Sequence, residues 1–371
     1  MILREFSFPR APDQPGQARI SIPFGSNPAN FYVQGIAEGQ STLTVAATGF
    51  SSTLLDVSVT QPTFTVSGPS TAFLNRPAQA SISFNGQAVR PGAQVSINLN
   101  SSDPTVATID SPAIAAPGSS QAISKITSLA PGNTTISADI PDGFTVRPVD
   151  LSFNLAVSLP ALPFDTSTST YSIGRNLQAV ENSFRTDSAP INLTVTSSDP
   201  SKVLLSTDPK AAGQGATTFT VKAFSSALVY IQALADSGSA ALTFSAPGYN
   251  SRQVTVNFYP AAFGFGAGLL NTSQTAPAGF SVFVGPVLPP GIQVNNPQTL
   301  RGGSTPLSIA IANSRPATGS IKPSTLVFTP GDNQATATFT PAAAGSTILT
   351  IAQPPGFVTG GTYPQLVVTV N

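Results

Sequence analysis

Gly143-Phe144-Thr145-Val146-Arg147-Pro148-Val149-Asp150-Leu151-Ser152-Phe153-Asn154-Leu155-Ala156-Val157 is one copy of a pattern that this chain repeats four times. Each copy ends in a Gly-aromatic pair followed by an alternating apolar strand. The other pairs are Gly49-Phe50, Gly248-Tyr249 and Gly356-Phe357, and their strands read Leu55-x-Val57-x-Val59, Val254-x-Val256-x-Phe258 and Leu366-x-Val368-x-Val370. Alternation at period two sends one side-chain set into a core and the other into water. A period of roughly 100 residues with strands inside it describes an array of like modules rather than one large enzyme fold.

Working outward, a proline follows the terminal strand at Gln61-Pro62, Leu159-Pro160 and Tyr259-Pro260. Proline cannot donate to a sheet ladder and stiffens the link it occupies. The expected modules are therefore residues 1–61, 62–159, 160–259 and 260–371, joined almost without linker as a semi-rigid rod. Mid-module, Val95-x-Ile97-x-Leu99 runs into Ser101-Ser102-Asp103-Pro104, Ile191-x-Leu193-x-Val195 into Ser197-Ser198-Asp199-Pro200, and Leu307-x-Ile309-x-Ile311 into Asn313-Ser314-Arg315-Pro316. Each reads as a strand with one buried face, closed by a turn that short polar side chains and proline pre-organise. A further block aligns without gaps over Ile20–Gly39, Ala113–Gly132 and Leu326–Gly345, with Gly25, Gly118 and Gly331 in register. The third copy matches poorly there, and its spacing leaves room for an extra hairpin. Asn85-Gly86 carries a type I′ hairpin signal.

About seven short strands per module, with no helical periodicity, predict an all-β fold of tandem immunoglobulin-like β-sandwich domains. With no Cys and no Trp in the chain, the antibody-type core is absent. Ser101-Ser102-Asp103-Pro104-Thr105-Val106-Ala107-Thr108-Ile109, followed by Ile126-Thr127-Ser128-Leu129-Ala130-Pro131-Gly132-Asn133-Thr134-Thr135-Ile136-Ser137-Ala138, resembles the bacterial immunoglobulin-like tandem-repeat surface proteins. The match is closest in the second copy and partial elsewhere. The resemblance implies extracellular rods such as adhesin stalks, surface-layer proteins and phage structural proteins, and it transfers no catalytic residues.

Composition narrows the chemistry. Of 371 residues, 40% are apolar and only 9% charged, with 16 basic against 16 acidic residues. Nucleic acid is not expected as a partner, because phosphate binding needs clustered Lys and Arg. Membrane insertion is not expected either, since no apolar run approaches spanning length. The chain has no His and no Cys, which removes the commonest general base near neutral pH and the usual zinc and copper ligands. Met1-Ile2-Leu3-Arg4-Glu5-Phe6 lacks the apolar core of a signal peptide, so the expected extracellular or cell-surface location implies a mature or excerpted segment, or another export route.

The first module carries only the second half of the repeat. Strands are expected at Arg19–Phe24, Phe31–Ile36, Leu43–Ala46 and Leu55–Val59, and half a sandwich leaves an apolar face in water. Three readings are open. The chain continues upstream in a larger parent, another copy completes the module by strand addition and so builds a polymer, or Glu5–Arg10 adds a strand to a smaller sheet. The segment Met1–Arg10 alternates well enough to act as a donor strand in the second case.

No catalytic site is expected. There is no Gly-x-Ser-x-Gly elbow, none of Lys125, Lys202, Lys210, Lys222 and Lys322 follows a Ser by three positions, and the three Glu are scattered. Asp103, Asp199, Asp208 and Asp332 read as turn formers. With no cofactor expected, calcium is the one ion the chain's oxygen ligands suit, and Asp139, Asp142 and Asp150 form the densest acidic group. Lys125 is out of phase with Ile126 and faces solvent, which argues against a Lys–Asn cross-link. Ala261–Leu270 is the one unusual apolar stretch; it reads either as the first strand of the fourth module or as an exposed edge in which Phe263, Phe265 and Leu269 pair with a neighbouring chain. At about 3.3 Å per strand residue the array would span on the order of 140 Å.

The function expected is that of a non-enzymatic extracellular structural protein, part of a surface fibre, filament or adhesin stalk. A module that binds a glycan or host surface is the alternative, with Phe357 and Tyr363 as its aromatic pair, and a phage or virion structural protein is another.

Overall fold

The computed structural model describes residues 6–7, 16–22, 31–163, 169–184, 186, 189–288, 297–360 and 363–371. Among them the secondary structure is almost wholly strand; the helical pieces are two single 3-10 turns, Pro148–Asp150 and Pro316–Thr318. Neither is long or apolar enough to cross a membrane. The chain forms two compact units, Met1–Pro160 and Ala161–Asn371.

The Gly-aromatic pair is the element that all four modules share. Gly49, Gly143, Gly248 and Gly356 have φ of 86°, 82°, 82° and 86°, a region that L side chains avoid. Each places glycine third in a reverse turn, and the following aromatic amide closes it: Phe50 N–H donates to Ala47 O at 3.1 Å, Phe144 to Pro141 O at 3.2 Å, Tyr249 to Ala246 O at 3.2 Å and Phe357 to Pro354 O at 3.1 Å. The turn then feeds the alternating strand back against the one before it.

In the first unit, the second module is a complete immunoglobulin-like sandwich. One sheet runs in the order Ala107–Ile109, Gln121–Ser128, Ala78–Ser83, Thr65–Ser67. The other runs Thr71–Phe73, Ser152–Ser158, Gly132–Ala138, Leu99–Ser101, with Thr71–Phe73 parallel to Ser152–Ser158. This is the two-sheet, Greek-key arrangement that alternating strands of this number produce. Phe64, Ile82, Ile97, Ile126, Ile136 and Leu155 fill the space between the sheets. Asn85 and Gly86 have φ of 53° and 81°, as the type I′ turn requires, but Ala88-Val89 is not a strand; Val89 N–H bonds to Ser119 O at 2.9 Å instead.

The Ser-Ser-Asp-Pro block closes on the strand that follows the central glycine. Thr134 Oγ1 lies 2.8 Å from Ser101 Oγ and accepts the Asp103 amide at 3.0 Å, and Thr135 N–H donates to Ser102 Oγ at 2.9 Å. The fourth module repeats this with Thr347, which accepts the Arg315 amide at 3.0 Å, while Ile348 N–H donates to Ser314 Oγ at 2.9 Å. In the third module Ala240 stands where the others have threonine, and only the Ser198 contact to the Ala241 amide remains, at 2.9 Å.

The second unit holds two sandwiches around one continuous core. The third module pairs Thr170–Gly174 parallel to Arg252–Tyr259 and adds Ala216–Val221 beyond Ile191–Ser197, so its sheet has five strands. The fourth pairs Leu269–Thr272 parallel to Gln365–Val370. Between the two modules a strand is lent. Thr299–Leu300 of the fourth pairs with Leu177–Gln178 of the third and extends that module's second sheet. Behind this pairing lies a buried amide clamp. Gln178 Oε1 accepts Gly302 N–H at 2.9 Å and Gln232 Nε2 at 3.2 Å, while Gln232 Oε1 accepts Gly213 N–H and its Nε2 donates to Ala211 O, both at 2.9 Å. Gln298 bridges the same seam, accepting Gly174 N–H at 3.0 Å and donating to Ser172 O at 2.6 Å. A Cβ on Gly302 would lie 2.2 Å from Ala211 O, so only glycine fits. The poorly matching segment of the third copy thus has a use: the loop between Val203–Ser206 and Ala216–Val221 is what the fourth module docks on.

Candidate interaction surface

The first module is the exception to this packing. Its described strands form two ribbons, Phe6–Ser7 with Gln34–Gly35 and Gly39–Val45 with Thr53–Val59. Phe6–Ser7 supplies part of the strand expected over Glu5–Arg10, whose other residues, like Phe24 and Gly25 of the repeat, lie outside the described residues. Residues 19–22 carry no strand, Phe31–Ile36 shrinks to two residues, and the Leu43–Ala46 strand starts earlier, at Gly39.

Register fixes which residues of this hairpin ought to be core. Gly39 faces Val59 as Gly132 faces Val157 and Gly345 faces Val370, and all three glycines have positive φ, at 150°, 158° and 138°. By that register Val45 corresponds to Ala138 and Ile351, Leu55 to Phe153 and Leu366, and Val57 to Leu155 and Val368. Val45 is 44% exposed and Leu55 53%, whereas Leu366 is 1% exposed. Phe50 is 80% exposed, whereas Phe357 is 9% exposed with its ring centroid 4.8 Å from that of Phe263, and Phe144 packs on Phe64 at 5.8 Å. Leu43, Val57 and Val59 gain only partial cover, with Gly35 lying against Val59. Among the described residues, the first module keeps the turns of the repeat without its core.

The segment Ala261–Leu270 splits in two. Ala261–Phe265 is the first strand of the fourth module, and all five residues are buried, Phe263 and Phe265 among them, so neither ring is offered to a second chain. The strand does lie at a sheet edge, but that edge is closed from within. Gln353 Oε1 accepts Phe263 N–H at 3.0 Å and Gln353 Nε2 donates to Phe263 O at 2.8 Å, and Val358 and Tyr363 bond to Ala261 and Phe265. Leu269, 69% exposed, is the member that reaches the surface, beside a shallow apolar recess lined by Phe280, Phe283 and Leu366.

The other expected sites are dispersed. Asp139 accepts from Asn100 Nδ2 at 3.2 Å and Asp150 pairs with Arg147 at 2.6 Å, and no group of three acidic residues among the described residues could hold a metal. Asp103, Asp199, Asp208 and Asp332 are turn formers: each carboxylate accepts an amide or hydroxyl two or three residues away. The Thr105 hydroxyl, and then its amide, hold the Asp103 carboxyl below its ordinary value; for Asp199 the Ser201 hydroxyl and then Lys202 do the same. Lys125 is exposed. Phe357 is a core residue while Tyr363 is exposed, so the two do not form an aromatic platform. One unusual residue carries no sequence signal: Phe224, 84% exposed, sits at φ 56° on a loop tip, where a bulky side chain is strained.

By sequence, no protein-family model and no curated protein matches the chain. Among solved structures it is similar to a tandem segment of titin (10% identity, 82% of this chain and 98% of that one, TM-score 0.26). It is similar to the Escherichia coli adhesin FdeC (11% identity, 84% and 97%, TM-score 0.21) and to domains 4–9 of the surface layer protein SbsC (13% identity, 99% and 57%, TM-score 0.22). Likenesses with TM-scores this low carry no argument about this chain, and its immunoglobulin-like architecture rests on its own strand order and register.

Proposed function

We propose that this chain is a non-enzymatic extracellular structural protein, a run of immunoglobulin-like modules that serves as spacer in a surface fibre, filament or stalk. The observation that carries this reading is the seam of the second unit. A lent strand, a buried glutamine pair and a glycine that admits no side chain tie two modules into one body. A spacer must hold distance under load, and a junction tied by buried hydrogen bonds resists hinging because opening it breaks each of them. The repeated glycine turns and cores serve the same end. The alternatives, a glycan- or host-surface-binding module and a phage or virion structural protein, have no residue cluster of their own to favour them.

Electron microscopy of the protein as isolated from its source, without refolding, tests the reading. Filaments or elongated beaded particles are the expected result. Dispersed compact particles in material that is folded by circular dichroism would overturn it.

A further inference from the structure

We propose that the rim of the seam in the second unit binds a small oxyanion, a phosphate-like group or a carboxylate, between Arg175 of the third module and Arg301 of the fourth. A spacer without this ligand is still a spacer, so the site is additional to the structural role and stands or falls separately from it.

The inference starts from the buried polar atoms. Among the described residues three side-chain atoms of this kind have no hydrogen-bond partner: Ser128 Oγ in the second module, and the Nε atoms of Arg175 and Arg301. The two arginines are far apart in sequence, and the lent strand makes them neighbours. Leu300 pairs with Leu177, and Arg301 N–H donates to Asn176 O at 3.0 Å, beside Arg175. Arg175 N–H donates to Tyr259 O at 2.8 Å, on the last strand residue of the third module. Each side of the seam thus supplies one guanidinium.

Neither guanidinium is neutralised in the interior. Arg175 Nη1 lies 3.2 Å from Asp236 in a surface ion pair that water screens. Arg301 belongs to no ion pair among the described residues, and its Nη1 donates to Gly302 O at 3.3 Å. Burial draws the Arg301 guanidinium below its ordinary value. The neighbouring acids are engaged elsewhere. Asp332, whose carbonyl accepts Leu300 N–H, receives the Thr329 amide and hydroxyl, both at 2.7 Å, and Asp208 receives the Lys210 amide at 2.8 Å. Lys210 adds a third cation to this rim, since its carbonyl accepts Gly303 N–H at 2.9 Å. A buried N–H without an acceptor carries its whole desolvation penalty, and a partly buried cation without a counter-charge adds to it. An oxyanion answers both needs, because a guanidinium presents parallel N–H donors to carboxylate or phosphate oxygens. An anion held by one arginine from each module also favours the closed seam by mass action.

The test titrates the full chain with inorganic phosphate and, separately, with acetate, against sodium chloride at matched ionic strength. Isothermal titration calorimetry reads affinity, and amide hydrogen exchange by mass spectrometry reads location. The expected result is saturable binding of at least one anion, with new protection at residues 174–178 and 299–303. Binding of phosphate alone assigns a tetrahedral oxyanion, and binding of acetate alone a carboxylate. Arg175→Gln and Arg301→Gln should each lower the affinity about tenfold or more. Arg301→Lys keeps the charge without the fork and should fall between Arg301→Gln and the parent. Arg315→Gln, at an exposed arginine away from the seam, should bind as the parent does. Should a glutamine variant lose the circular dichroism of the parent, the lysine variant decides, and parental affinity in it overturns the proposal. So does the absence of saturable binding, or binding that folded Arg175→Gln and Arg301→Gln leave unchanged, since water would then serve the two Nε atoms.

Discussion

The first and fourth modules carry the same hairpin in two environments. Gly49 and Gly356 share a φ of 86°, the turns close with the same 3.1 Å hydrogen bond, and the strand registers coincide. Yet Phe357 is packed against Phe263 while Phe50 stands in water. The turn and the pairing are local properties, written by glycine and by alternation. Burial is not local, because it needs a facing sheet, and none packs on this hairpin among the described residues. The difference separates what four to twenty residues can specify from what only a whole domain can.

Charging a core position should expose this most sharply. Phe265→Lys places an unpaired ammonium among Phe280, Val282 and Leu366 and should unfold the fourth module, a loss of at least several kcal/mol. Leu55→Lys, at a core position of the repeat that is open in the first module, should change stability by about 0.5 kcal/mol or less. Chemical denaturation of the two variants decides the matter; equal losses would mean that the first module is as well packed as the others. The aromatic plug offers a gentler version. Phe357→Ala should cost about 3–5 kcal/mol, and Phe50→Ala about 0.5 kcal/mol or less.

The seam sets a third scale. Gln232→Ala leaves the Gly213 amide and the Ala211 carbonyl without their partner and should cost roughly 1–3 kcal/mol. Its signature is loss of coupling, in that a single calorimetric transition for residues 161–371 should separate into two. A single transition of unchanged midpoint would show that the shared core alone joins the modules. No such clamp is described in the first module, so the variant should leave the hydrogen exchange of residues 39–59 untouched.

What could be read from the sequence follows the same division. The four glycine turns and the alternating strands were legible, because each is a short pattern with one physical cause. The seam was not. Gln178 and Gln232 look like surface residues until the fold brings them together, and Thr299–Leu300 is too short to show any periodicity. Misfit of the third copy was visible as irregular spacing, but its meaning, a loop reshaped to dock the next module, needed the partner in view. Ala261–Phe265 was ambiguous for a related reason. A strand buried on both faces and a sticky edge are equally apolar in sequence, and the residue that closes this edge, Gln353, lies 90 positions away. Leu269, the first residue of the strand Leu269–Thr272, is the part of that stretch still available for contact.

The smallest effect concerns the Asp-Pro turns and distinguishes the second and third modules from the fourth. The Asp103 and Asp199 carboxyls are held below their ordinary values by the hydroxyls of Thr105 and Ser201, whereas Arg315 stands at this position in the fourth module. A carboxyl whose pKa is depressed on folding contributes stability that is fully present above its unfolded value, about 3.9, and is lost as pH falls through the folded value. Both groups lie at the surface, so the contribution is small and salt-sensitive. Asp103→Asn and Asp199→Asn keep an acceptor for the turn and remove the titration. The doubly substituted protein should therefore lose less thermal stability than the parent between pH 5 and pH 3, with little difference above pH 5, as followed by circular dichroism. An identical slope for the two proteins would mean that these turns are already formed in the unfolded chain. The Asx contacts would then be as local as the glycine turns of the first module.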